Sequence, residues 1–138
     1  MAEPPPEKYE EIEHTADWAL KVRGHTLPEL FVNAARGMMD LAGVTAIEGG
    51  GPQQQIDLQA NDKESLLVDW LHELLLSMEL NEIAFGEIDL SIDDLKLHAM
   101  VEAAPIKSLE KPIKAVTYNE LKIEGSPQGF EATIVFDV

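Results

Sequence analysis

The sequence predicts an α+β protein, a largely antiparallel or mixed β-sheet with two amphipathic helices packed on it. Two windows, around residues 27–41 and 63–78, place apolar residues at helical spacing, while the other apolar segments alternate with polar residues in the period of a strand. The order is strands, helix, strand, helix, then several strands, which suits helices gathered on an antiparallel sheet. Residues 1–7, rich in proline and glutamate, read as a disordered tail, and residues 8–138 as a single domain.

Tyr9 to Glu13 reads as a short strand. Trp18, Leu20 and Val22 alternate with Ala19, Lys21 and Arg23 in a half-buried strand that Gly24 ends. Thr26-Leu27-Pro28-Glu29 is a capping box with proline in the first helical turn. Leu27, Leu30, Phe31, Ala34, Ala35, Met38 and Leu41 then form one apolar stripe, and Gly43 stops the helix. Residues 48–55 read as a loop and Ile56, Leu58 and Ala60 as a strand. Asp62 caps the second helix, whose buried face is Leu67, Trp70, Leu71, Leu74, Leu75 and Met78. Ile88, Leu90 and Ile92 alternate, as do Leu95, Leu97, Ala99 and Val101, with a turn at Asp93-Asp94. Ala103 to Pro112 reads as a loop, Ile113 to Tyr118 as a short strand or turn, and Leu121 and Ile123 as a strand. Ser126 to Gly129 reads as a turn, and Phe130 to Val138 as the last strand.

Composition excludes more than it identifies. There are 26 Asp and Glu against 10 Lys and Arg, a formal net charge of −16. Nucleic-acid binding draws much of its affinity from basic side chains on phosphates, so this balance disfavours RNA, DNA and anionic membranes. It favours cations or a basic protein partner. No apolar run approaches the ~18 residues of a spanning helix. The N-terminus lacks the basic start and apolar stretch of a signal peptide. Zero cysteines exclude disulfides, thiolate metal sites and a cysteine nucleophile, and fit a cytoplasmic location. Gly49-Gly50-Gly51 lacks the Lys-Ser/Thr of a phosphate-binding loop. There is no nucleophile elbow, and His25, His72 and His98 show no metal spacing, so an enzyme is not expected.

The candidate site comes from strand parity. Trp18, Leu20 and Val22 face the core, so Asp17 leans to the other face. In the last strand Phe130, Ala132, Ile134 and Phe136 are the apolar set, so Asp137 shares a face with Glu131 and Thr133. If the two strands are antiparallel neighbours, Asp17 and Asp137 meet at one rim. Two adjacent carboxylates call for a proton or a cation between them. A hard ion such as calcium or magnesium takes oxygen ligands, and the chain's last residue, Val138, offers another oxygen. Against this stands the plainer reading, a turn-capping Asp17 and a solvated Asp137. His14, three residues before Asp17, is a ligand or proton carrier, or a turn histidine bonded to backbone. Lys114, at the head of a β-branched run, meets a phosphate or a partner's carboxylate, or is simply solvated.

Several blocks, in order, resemble the archease family. They are Glu13-His14-Thr15-Ala16-Asp17, Gly24 to Phe31, Ala34 to Met38, Glu64 to Leu75, Ile113-Lys114-Ala115-Val116-Thr117-Tyr118 and Val135-Phe136-Asp137-Val138. The resemblance covers essentially all of the chain after residue 8, so that 8–138 reads as one archease-like domain. It implies a non-catalytic activator of an RtcB-type RNA ligase in tRNA splicing and RNA repair, promoting guanylylation of the ligase and multiple turnover. It further implies a divalent-cation site on Asp17, Asp137 and Val138, calcium before magnesium, and a role in activation for Lys114, with His14 beside the site. The expected partner is the ligase protein, with no direct nucleic-acid or membrane contact. The family often carries a histidine after the lysine block, where this chain has Asn119. The alternative function is a cation-dependent, chaperone-like binding module for another basic client.

Overall fold

The computed structural model describes residues 8–13, 18–46, 51–118 and 120–138. Two antiparallel sheets hold two helices. The first sheet contains β1 (Tyr9–Glu13), β2 (Trp18–Gly24), β7 (Ala115–Thr117), β8 (Glu124–Ser126) and β9 (Gly129–Asp137). Its order is β1-β2-β9-β7, with β8 also on β9. The second contains β3 (Thr45–Ala46), β4 (Gln53–Gln59), β5 (Ile83–Asp93) and β6 (Lys96–Ser108). Here β6 is central, pairing with β5 along one edge and with β4 and then β3 along the other.

Helix α1 (Leu27–Leu41) begins as its capping sequence predicts, with Thr26 Oγ1 accepting from the Glu29 amide at 3.2 Å. It ends at Ala42, and Gly43 follows at a φ of 65°, a left-handed conformation that glycine adopts without steric cost. Helix α2 (Lys63–Asn81) is capped by Asp62, which accepts from the Ser65 amide at 2.7 Å. Hydrogen bonding from the Ser65 backbone amide, then from the Ser65 side chain, holds the Asp62 carboxyl below its ordinary range.

Helix α1 packs on β1, β2 and β9 of the first sheet and on β5 of the second. Helix α2 meets β4, β5 and β7, so each helix touches both sheets. The core lies where these layers meet and contains Leu20, Phe31, Trp70, Leu71, Ile134 and Phe136, all fully buried. Trp70 keeps its polar atom satisfied there, its indole N–H donating to the Phe31 carbonyl at 3.0 Å. Asn33, also buried, donates to the Arg23 carbonyl at 2.7 Å and ties α1 to the end of β2. Helix and sheet approach closely at Gly37, where an added Cβ would lie 2.6 Å from a Leu20 methyl and 3.0 Å from the Tyr9 ring.

Both helices, the first two strands and the last strand fall where the sequence puts them. Elsewhere the structure corrects the expectation. The antiparallel strands of the expected α+β fold divide between two sheets. Ala103 to Pro112 is not all loop, because β6 continues to Ser108, pairing Ala103–Pro105 with Ile83–Phe85 and its end with β3. Residues 103–106 read Ala-Ala-Pro-Ile and show no alternation, because Ala103 and Ala104 are both buried. Strand β5 correspondingly starts at Ile83, and a bulge between Phe85 and Ile88 breaks the alternation there. The hairpin turn sits one residue later than expected. Asp94 and Leu95 have φ of 47° and 62°, the paired left-handed residues of a tight hairpin turn. The strand expected at Leu121 and Ile123 lies instead at Glu124–Ser126, with Ile123 buried just before it. Its amide is held by Glu64 of α2 at 3.0 Å.

Candidate functional site

The antiparallel pairing of β2 with β9, on which the site argument depends, is present. Its register runs from Gly24 opposite Phe130 to Trp18 opposite Phe136. His14 and Asp17 lie outside the described residues, as does Asn119. What the structure brings together is Lys114 and Asp137. Strand β7 lies against the other edge of β9, with Ala115 opposite Asp137 and Val116 opposite Phe136. One step earlier, the Lys114 amide donates to the Asp137 carbonyl at 2.7 Å. The β-branched run after Lys114 is thus a strand, and Lys114 stands at its head.

Parity holds in β9. Ala132, Ile134 and Phe136 are buried, while Glu131, Thr133 and Asp137 are exposed. The Asp137 and Lys114 side chains both reach solvent, and no described residue pairs with either. Val138 is half-buried and packs against the core, which anchors the strand end that carries Asp137. The donors available here, the exposed Asp137 carboxylate and the main-chain oxygens of Val138, are hard oxygen ligands of the kind calcium and magnesium take. They fit such an ion in chemical type. Among the described residues no group of three His, Asp or Glu side chains converges to hold a metal unaided.

One contact at this corner escaped the sequence reading. Trp18 packs against the core as expected but is only partly buried, and the Lys111 ammonium lies 3.6 Å from the centre of its ring. No spacing signal links a strand residue to a loop lysine so distant in sequence.

Two other polar clusters belong elsewhere. On the outer face of the second sheet, His98 Nδ1 and Asp57 Oδ1 lie 2.6 Å apart, and Gln55 donates to the same carboxylate. The contact with His98, then that with Gln55, holds the Asp57 carboxyl low. At the opposite end of β2 and β9 from Asp137, an open cleft of about 490 Å³ is lined by Lys8, Arg23, His25, Phe130 and Glu131 among others. Arg23 there pairs with Glu131 at 3.1 Å and Glu10 at 3.6 Å. Among the described residues no helix is long and apolar enough to cross a membrane.

The class these features define is a small acidic α+β protein whose candidate groups are displayed at a strand end rather than enclosed in a cleft. The Archease protein family (MTH1598/TM1083) matches residues 9–138. Protein archease of Methanosarcina barkeri is 39% identical, over 95% of this chain and 96% of its own. That of Methanopyrus kandleri is 30% identical over 94% and 99%. Among solved structures, Methanobacterium thermoautotrophicum protein 1598 matches with a TM-score of 0.69 and 28% identity, covering 95% of this chain and 99% of that one. An archease of Thermotoga maritima, described as a "possible chaperone", shares the fold with a TM-score of 0.71 over 100% of this chain and 98% of that one, at 24% identity. The chain belongs to the archease family. That identity supports an accessory role exercised through a protein partner.

Proposed function

We propose that this protein is a non-catalytic, cytoplasmic activator of an RtcB-type RNA ligase in tRNA splicing and RNA repair, promoting guanylylation of the ligase and its multiple turnover. The observation that carries the reading is the placement of Lys114 and Asp137. They are hydrogen-bonded through their backbones at the end of a central strand, and both side chains are exposed with no partner among the described residues. Lys114 presents an exposed ammonium to an acidic group of the ligase. Asp17, Asp137 and a main-chain oxygen of Val138 hold a divalent cation, calcium or magnesium, with His14 beside it. Bound there, the ion supplies positive charge against the carboxylates in a strongly acidic chain. With few protein ligands, water completes the coordination and affinity is modest. The net charge of −16 supports contact with the ligase protein rather than with RNA.

The test is RNA joining by the cognate ligase across a titration of this protein. Multiple turnover should rise at substoichiometric levels, with no joining by this protein alone. Unchanged turnover refutes the proposal. A second reading, a chaperone-like module for another client, draws on Leu76 and Leu80, which are 37% and 73% exposed one turn apart on α2. Capture of the ligase without any change in turnover would favour it.

A further inference from the structure

The segment from Leu109 to Lys114, between β6 and β7, has no regular secondary structure, yet it is fastened along its length. The amides of Glu110 and Lys111 both donate to the carbonyl of Ala42, the C-cap of α1, at 3.1 and 2.8 Å. Ile113 is buried, and the Lys114 amide donates to the Asp137 carbonyl at 2.7 Å. Pro112 restricts the backbone of Lys111 to extended conformations, which lowers the entropy lost in fixing the strap. Between these anchors the Lys111 ammonium lies 3.6 Å from the Trp18 ring centre. Trp18 in turn pairs with Phe136, the neighbour of Asp137. A lysine side chain free in water would lose rotamer entropy on lying down. The attraction of its charge to the indole face offsets that loss.

We infer that Lys111 is a positioning residue: stacked on Trp18, its ammonium clamps the 109–114 strap across the end of β2 and β9, so that Lys114 and Asp137 keep a fixed relation. The functional half of this inference rests on the role proposed above for Lys114 and Asp137. The clamp itself does not. Lys114 can be correctly registered with Asp137 only while the strap that delivers it is held down. The backbone bonds of Glu110 and Lys111 tie the strap to the end of α1, not to β2. The stack on Trp18 fixes it to the very strand pair that displays Asp137.

The experiment compares wild type, Lys111→Met and Lys111→Arg by amide hydrogen exchange at Lys114, read by NMR. Methionine keeps the aliphatic stem and removes the charge, whereas arginine keeps a cation able to stack. The Lys114 amide should exchange roughly two- to fivefold faster in Lys111→Met, the factor expected of an exposed cation–π contact. Lys111→Arg should stay near wild type, and core amides such as that of Ile134 should not change. Unaltered Lys114 exchange in Lys111→Met, equal acceleration in both variants, or parallel acceleration of the core each overturns the clamp. Calcium titration of the same three proteins tests the link to the site. Affinity should fall by a similar factor in Lys111→Met alone, and unchanged affinity breaks that link. If wild type binds no calcium, the cation reading fails, while the exchange result still decides for or against Lys111.

Discussion

The phenol of Tyr9 should make stability fall in alkali over a defined window. Tyr9 stands in β1, an edge strand whose only strand partner among the described residues is β2. Its ring lies against Gly37, and its hydroxyl donates to Asp40 of α1. That hydrogen bond is the main reason the Tyr9 pKa is pushed up to about 12 from 10.0. Burial and the Asp40 charge add to the rise, and Arg36 opposes it. A raised acid pKa means that the folded state holds the proton more tightly than the unfolded state. The stabilisation is therefore complete below pH 10 and lost between about pH 10 and 12. Two pKa units correspond to at most about 2.7 kcal/mol. Solvent screens this partly exposed pair, so about 1 kcal/mol is expected. Urea unfolding of wild type and Tyr9→Phe from pH 7 to 12 tests this. The variant should be less stable by about 1 kcal/mol up to pH 9, and the gap should close as pH rises through the window. A gap that is absent at neutral pH, or that stays constant to pH 12, refutes the reasoning.

Trp70→Phe removes the buried donor to the Phe31 carbonyl and leaves a void, so denaturant unfolding should show a loss of about 1–3 kcal/mol. Lys114→Ala should unfold within about 0.5 kcal/mol of wild type yet stimulate the ligase poorly; parallel loss of both would make the lysine structural. Anisotropy with RNA at physiological salt should show no tight, salt-sensitive binding, given the net charge of −16. Asp62→Asn keeps an N-cap but cannot titrate. Because the Asp62 carboxyl is held below its ordinary 3.8, its contribution is complete above that pH and lost in stronger acid. The difference in melting temperature between the two proteins should therefore shrink there.

How much of the fold was legible depended on whether local chemistry and tertiary packing agreed. Thr26, Asp62 and Gly43 mark helix ends through bonds and conformations confined to a few residues, so sequence suffices there. In β9 the expected set Ala132, Ile134 and Phe136 is buried at every second position, so period and packing agree there, and Val135, buried on the other face, departs from the pattern. The second half of β6 fails for the opposite reason. Ala103 and Ala104 are both buried, Pro105 interrupts the donor pattern, and the bulge after Phe85 shifts the partner strand. Nothing in residues 103–108 alone announces a strand. It exists because β5 and β3 flank it. The two-residue strand at Thr45–Ala46 is likewise created by its partner.

The candidate site divides along the same line, and the division says what kind of site it is. Lys114 and Asp137 were legible as residues, because each sits beside a β-type run with its side chain on the polar face. Their adjacency was not, since it depends on β7 choosing the free edge of β9. Strand β7 is only three residues long and could not hold that edge by its own ladder. What holds it is lateral: Val116 buried beneath, Ile113 buried before it, and the strap fastened to Ala42 and Trp18. A charged pair brought into register by so short a strand keeps its geometry only through those neighbours. Activation should therefore be sensitive to substitutions at Ile113 and Lys111, which need never touch the partner, as well as at Lys114 itself.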